Sequence, residues 1–345
     1  MVRPMRPVNP QDVQLIELSN ARGDSLQVLT LGAIIKQWNV NTREHGIVNT
    51  VLGYPHKQSY LKDPAYHGAI TGRYCNRIAN SHFSIGEQHY QLQSNEGPHH
   101  LHGGPQGFNG RIWHIESSDK QNLTLSLHSA DGDQGYPGNL DVLLCYTLND
   151  NGALDIEWNA HTDRDTVVSL TSHAYFNLAG CGDIRDHYLR IAGSHYTPTT
   201  ADMIPTGEIR PVTDSVLDLR NFTPLDQLLD SNDPEIADLG GLDHNWLTRL
   251  SSELRLCAEL LCPRTQLLLQ ISSTLPGLQC YTGNHLSANG IHGCHEGLCL
   301  ETQHCPNSPN EPGFPSPLLR AGETQRHHTR YLIKEVNAGE ILANA

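Results

Sequence analysis

Leu140-Asp-Val-Leu-Leu-Cys-Tyr-Thr-Leu148, Asn149-Asp-Asn-Gly152 and Ala153-Leu-Asp-Ile-Glu-Trp-Asn-Ala160 follow one another in the chain. Successive side chains on an extended strand point to opposite sides, so Leu140, Val142, Leu144, Tyr146 and Leu148 share one face. The second segment is turn sequence. Leu154, Ile156, Trp158 and Ala160 then resume the alternation, which predicts a β-hairpin.

The same period recurs on both sides. Leu123, Leu125 and Leu127 read as a strand. Leu254, Leu256, Ala258 and Leu260 read as another, turning at Pro263-Arg264 and returning through Leu267, Leu269 and Ile271. Val13 to Leu18 and Leu26 to Leu31 flank Asn20-Ala-Arg-Gly-Asp24, a further hairpin. Helical spacing is scarce. The best case follows Thr223-Pro224, with Thr223 as cap, Pro224 in the first turn, and Leu225, Leu228 and Leu229 on one face. The expected fold is all-β, a large antiparallel β-sandwich or barrel with very little helix. No repeat, low-complexity tract or composition shift marks a linker. A single domain over residues 1–345 is expected, with its core between about 10 and 340.

Composition narrows the function. The 345 residues carry 23 Lys and Arg against 37 Asp and Glu, a formal net charge of -14. Such a chain repels phosphate backbones and anionic lipid, which argues against nucleic-acid and membrane partners. Nine Cys form an odd set without framework spacing. Cys145, Cys257 and Cys299 sit in apolar runs and read as small buried hydrophobes in a reducing cytoplasm. Met1-Val-Arg-Pro-Met-Arg-Pro7 has no apolar run after its charges, so no secretory signal is expected.

Three strands combine an apolar face with a polar one. In Val167-Val-Ser-Leu-Thr-Ser-His-Ala-Tyr-Phe-Asn-Leu178, Val168, Leu170, Ala174, Phe176 and Leu178 oppose His173, Tyr175 and Asn177. In Gly297-Leu-Cys-Leu-Glu-Thr-Gln303, Leu298 and Leu300 oppose Glu301 and Gln303. In Leu278-Gln-Cys-Tyr-Thr-Gly-Asn284, Gln279 and Tyr281 oppose Cys280. Sugars need such convergent donors and acceptors, although an ordinary solvated outer face alternates in the same way. Glu301 ends its strand just before a polar, Pro-rich loop, a placement that suits a general base.

Other clusters have two readings each. Arg73 and Arg77 in Gly72-Arg-Tyr-Cys-Asn-Arg-Ile78 could clamp a polar ligand or pair with carboxylates. His102 lies in a glycine-rich loop that could approach a ligand or only turn tightly. Asp243 in Gly241-Leu-Asp-His-Asn-Trp246 could accept from a hydroxyl or from its own backbone. His99-His-Leu-His102, His292 to His295, and His304-Cys305 lack standard metal spacing, so no metal is expected. No Walker loop and no glycine fingerprint opening a helix is present.

Seven segments, in order along nearly the whole chain, together resemble the aldose 1-epimerases (galactose mutarotases), most of all their bacterial branch. They are Thr71-Gly-Arg-Tyr-Cys-Asn-Arg-Ile-Ala-Asn80, Leu101-His-Gly-Gly-Pro-Gln-Gly-Phe108, Asp131-Gly-Asp-Gln-Gly-Tyr-Pro-Gly-Asn139, Thr171-Ser-His-Ala-Tyr-Phe-Asn-Leu178, Leu242-Asp-His-Asn245, Tyr281-Thr-Gly-Asn284 and Cys299-Leu-Glu-Thr-Gln303. The resemblance implies a galactose mutarotase-like supersandwich with a sugar cleft across a concave sheet. It implies interconversion of α and β anomers of free hexoses, without a cofactor, by a monomer or homodimer. Carried over by motif, Glu301 is the base and His173 the acid. Asn76, Arg77, His102, Tyr175, Asp243 and Gln279 hold the sugar. Ser172, Cys280 and Cys75 depart from the family pattern, mostly on faces assigned to packing.

Ionised Glu301 and protonated His173 would coexist between their ordinary pKa values, ~4.3 and ~6.5. A neighbouring carboxylate would extend that window upward. The competing readings are a hexose 6-phosphate epimerase, a non-catalytic sugar-binding protein, and a glycosidase pairing Glu301 with Asp243.

Overall fold

The structure, a computed structural model, describes residues 8–248, 250–289 and 291–344. Met1 to Pro7, read above for a secretory signal, lie outside the described residues. The predicted hairpin forms as Leu140–Leu148 and Ala153–Thr162, paired antiparallel with Leu144 opposite Trp158. Gly152, at φ +86°, closes the turn by donating to the Asn149 carbonyl.

That hairpin lies within a nine-stranded sheet. Its order is His114–Ser118, Asn122–Ser129, Leu140–Leu148, Ala153–Thr162, Thr324–Glu335, Leu267–Ser273, Arg255–Cys262, Tyr188–Ile191 and Thr223–Pro224. A six-stranded sheet runs Tyr175–Phe176, Leu298–Gln303, Gly277–Tyr281, Asp243–Leu247, His195–Thr197 and Arg210–Pro211. Every neighbouring pair in the six-stranded sheet is antiparallel. The main core fills the space between these sheets. Leu144, Trp158, Ile271 and Tyr331 from one meet Phe176, Trp246, Leu278 and Leu300 from the other. Each such buried side chain contributes roughly 1.5–3 kcal/mol. The N-terminal hairpin, Leu15–Ser19 with Ser25–Leu29, joins Ile34–Thr42 and Gly46–Asn49 in a four-stranded sheet that adds Leu26 and Trp38 to the same core.

Three expectations change in detail. The 167–178 strand is broken into Thr166–Val167, Thr171–Ser172 and Tyr175–Phe176, because each piece pairs with a different partner strand. Its alternation survives: Val168, Leu170, Ala174, Phe176 and Leu178 are all in the core. Thr223 does not cap a helix. It pairs with Leu189 in the nine-stranded sheet, and Pro224 is the N-cap of the short helix Leu225–Leu229. In Arg255–Cys262 a β-bulge between Leu256 and Ala258 shifts the register. Leu256 is turned outward and 37% exposed, while Ala258 and Leu260 enter the core.

Candidate active site

One face of the six-stranded sheet points into the core. The other forms the floor of a cleft of about 280 Å³, walled by residues 64–66, 76–77 and 101–102. Glu301 rises from that floor beside Gln279, its register partner. Its neighbours Leu298 and Leu300 point the opposite way into the core, so the alternation leaves the carboxyl no other direction. Glu301 is 2% exposed, and Oε2 has no hydrogen-bond partner within the protein. Burial pushes its pKa well above the ordinary carboxylate value. The nearby Asp243 charge adds to that, and Arg77 works against it.

His173 faces the same cleft. Its Nε2 lies 3.9 Å from Glu301 Oε1. The backbone is fixed on both sides: His173 N–H donates to Ala69 O at 2.9 Å, and Gly68 N–H donates to His173 O at 3.0 Å. Burial lowers its pKa to about 4. This corrects the expectation of a readily charged imidazole. Desolvation outweighs the opposing pull of the backbone and of Asp63, and the free site favours a neutral histidine and a neutral glutamic acid.

His102 differs from His173 in kind. Its Nδ1 accepts the Asn76 backbone N–H at 3.2 Å, so in the neutral ring the proton sits on Nε2. Burial holds the ring well below the usual histidine pKa, leaving a neutral donor. The loop reaches this position because Gly103, at φ +90°, packs against the Gly72 carbonyl. A Cβ there would stand 1.7 Å from that oxygen.

Arg77 both lines the cleft and pairs with a carboxylate. Its Nε and Nη2 donate to Glu96 at 2.7 and 2.8 Å. Lysine cannot reproduce that fork. Arg77→Lys is expected to raise KM by about tenfold, the worth of one charged hydrogen bond, with a smaller effect on kcat. Steady-state polarimetry checks this. Arg73 is elsewhere. It is 1% exposed and donates to the carbonyls of Ser129, Pro137 and Gly138. It clamps the 131–139 segment and takes no part in the cleft.

Asn76, Tyr175 and Asp243 line the cleft. Gln279 stands one step behind it, and its Nε2 donates to Asp243 Oδ1 at 2.6 Å. Ser172, Cys280 and Cys75 are buried away from the cleft.

Sequence reasoning missed Tyr66. Its ring packs 4.7 Å from His102 and 5.7 Å from His173. Its backbone is left-handed at φ +58°, costly for a bulky residue. Asp63 holds the turn, accepting from Ala65 N–H at 2.9 Å, His67 N–H at 2.6 Å and the Tyr54 hydroxyl at 2.7 Å. Asp63-Pro64 was a visible turn signal, but nothing local shows where the turn aims Tyr66.

Among the described residues, two groups could surround an ion: His102, His173 and Glu301, and separately Asp186, His187 and Cys262. His187 Nε2 accepts the Leu178 N–H at 3.1 Å. Of the histidine runs weighed for metal binding, His102 belongs to the first group, while His100 and His295 are engaged elsewhere. His100 meets Gln93 O and the Tyr136 hydroxyl, and His295 meets Thr282 O.

The aldose 1-epimerase family model matches residues 14–332. Galactose mutarotase from Mus musculus is 39% identical over 328 residues, covering 91% of this chain and 93% of its own. Aldose 1-epimerase from Haemophilus influenzae is 37% identical over 311 residues, covering 87% and 88%. A solved aldose epimerase homologue from C. elegans superposes with a TM-score of 0.87 at 28% identity, covering 94% of this chain and all of the other. The galactose 1-epimerase of Lactobacillus acidophilus gives 0.83 at 26% identity, covering 94% and 95%. The β-sandwich and these matches define the class, a sugar isomerase. This chain belongs to the aldose 1-epimerase family.

Proposed function

We propose that this aldose 1-epimerase interconverts the α and β anomers of free hexoses such as galactose and glucose, with Glu301 and His173 exchanging protons with the sugar. The observation that carries this reading is the shared cleft, with the two reacting groups 3.9 Å apart. Glu301 takes the C1 hydroxyl proton while His173 gives one to the ring oxygen, and the C1–O5 bond breaks. The aldehyde turns about C1–C2. His173 then recovers the proton from O5, Glu301 returns one to O1, and the ring closes on the other face. Each such group typically supplies about a hundred- to ten-thousand-fold.

The proton count fits the shifted pKa values, which burial causes. The pair holds one proton in total throughout the cycle. Before ring opening it is carboxylate plus imidazolium. After opening it is carboxylic acid plus imidazole. Burial favours the second form in the empty site. Polar hydroxyls of a bound ring, with the Arg77 charge, favour the first. Asn76, Arg77, His102, Tyr175 and Asp243 line the sugar, and Gln279 holds Asp243 in place.

Free sugars fit better than phosphorylated ones. Arg77 is already committed to Glu96, Arg73 lies outside the cleft, and Asp243 and Glu301 would repel a dianion. Polarimetry of freshly dissolved α-glucose should show rapid mutarotation, and glucose 6-phosphate should react at least tenfold more slowly, the penalty of an unpaired phosphate. Preference for the phosphate would overturn the substrate assignment. An unaccelerated glucose reaction would favour a sugar-binding role.

No described helix is long and apolar enough to cross a membrane. All nine cysteines are free, six of them buried, which supports a reducing, cytoplasmic setting. We assign the whole chain to one catalytic domain, working as a monomer or homodimer.

A further inference from the structure

Cys299 reads in the sequence as a small buried hydrophobe. It lies two residues before Glu301 on the strand Leu298–Gln303, and so on the same face of the sheet. Residues two apart on a strand stand ~7 Å apart. That spacing brackets an imidazole ring. Cys299 Sγ lies 3.4 Å from Nδ1 of His173, while Glu301 Oε1 lies 3.9 Å from Nε2. One strand therefore contacts both nitrogens of the histidine.

We infer that the Cys299 sulfur accepts the Nδ1–H of His173 and keeps that nitrogen protonated through turnover, so that Nε2 alone trades a proton with the sugar. This rests on the proposed role of His173. The reverse arrangement, S–H donating to Nδ1, would place the neutral ring's proton on Nε2 and leave that nitrogen unable to recover the proton from O5. The thiol proton has another acceptor, the His173 carbonyl oxygen, 3.9 Å from Sγ. Tyr175 also hydrogen-bonds the thiol, which leaves a second sulfur lone pair for Nδ1–H at 3.4 Å.

Sulfur suits this position better than a carboxylate. Burial, with the Glu301 charge, holds the thiol well above its ordinary pKa, so the partner of His173 is uncharged. A neutral thiol is a weak acceptor. It orients the ring and selects the tautomer without stabilising imidazolium. His173 therefore remains a strong enough acid to protonate an ether-like ring oxygen. Cys299 is a positioning residue, and it touches the sugar only through His173.

The test is the tautomer itself. Nitrogen-15 NMR of the full-length, histidine-labelled protein near neutral pH, with His173 assigned by comparison with His173→Gln, is expected to show a neutral ring protonated on Nδ1. Cys299→Val should mix the tautomers and lower kcat by about tenfold, the size of one lost hydrogen bond, with KM unchanged. Cys299→Ser should retain both the tautomer and most activity. Cys299→Asp should move the acid limb of kcat/KM upward by about one pH unit or more, because a carboxylate stabilises imidazolium. A wild-type ring protonated on Nε2, or a Cys299→Val protein with unaltered tautomer and kcat, overturns the inference. The NMR readout does not depend on turnover, so failure of the mutarotase reading would be seen separately.

Discussion

Glu301→Gln is expected to lower kcat by about a hundred- to ten-thousand-fold while sugar affinity stays close to wild type. The substitution keeps the shape and hydrogen-bonding reach of the side chain and removes its ability to take a proton. Glu301 sits on a central strand with Leu298 and Leu300 anchored in the core, so the replacement has no cause to move. Polarimetric kcat, with affinity from calorimetric titration, separates the two effects. Near-normal turnover would show that another group is the base. The same variant makes a stability prediction. The folded-state pKa of Glu301 is raised. Its contribution to stability is therefore complete below the ordinary value of ~4.3 and is lost as pH rises toward the folded value. Glutamine carries no such penalty. Glu301→Gln is expected to melt higher than wild type near neutral and alkaline pH, with the gap closing toward acid. Function here costs stability.

His173→Gln is the second large effect. The amide nitrogen replaces Nε2 and can still hydrogen-bond the ring oxygen, yet it cannot deliver a proton. Loss of kcat by about a hundred- to ten-thousand-fold is expected. KM should change little, because His102, Asp243 and Arg77 are untouched. The double variant with Glu301→Gln should fall little further than either single one, since one proton circuit is already broken. Fully additive losses would mean that the two groups act in separate steps.

Much of this was legible in the chain because a strand announces its faces. The alternation that puts Leu298 and Leu300 inward puts Glu301 outward, and the same holds for Phe176 and Tyr175 or Leu278 and Gln279. It survived even where the 167–178 strand broke into three pieces, since side-chain direction depends on the local backbone and partner choice does not alter it. What stayed hidden depends on distant contacts. Tyr66 reaches the cleft through a left-handed residue held by Asp63 and Tyr54. Arg73 and Arg77 look alike in sequence, and only the path of the 129–138 backbone takes Arg73 out of the site. Thr223 had good capping chemistry but was claimed by a sheet partner. The ionisation of Glu301 and His173 was misjudged because burial, the leading cause of both shifts, is a property of the assembled fold.

The central claim is that these two groups share one proton, and the pH dependence of kcat/KM tests it most directly. That profile reports the free enzyme. Adding a second proton titrates His173, whose pKa is lowered to about 4, so the acid limb should lie there. Removing the last proton titrates Glu301, which burial raises well above the ordinary range, so the upper limb should be carried upward with it. The limbs belong to the pair as a unit. A profile that declines through ~6.5, the ordinary histidine value, would show two groups titrating independently and would contradict the shared proton.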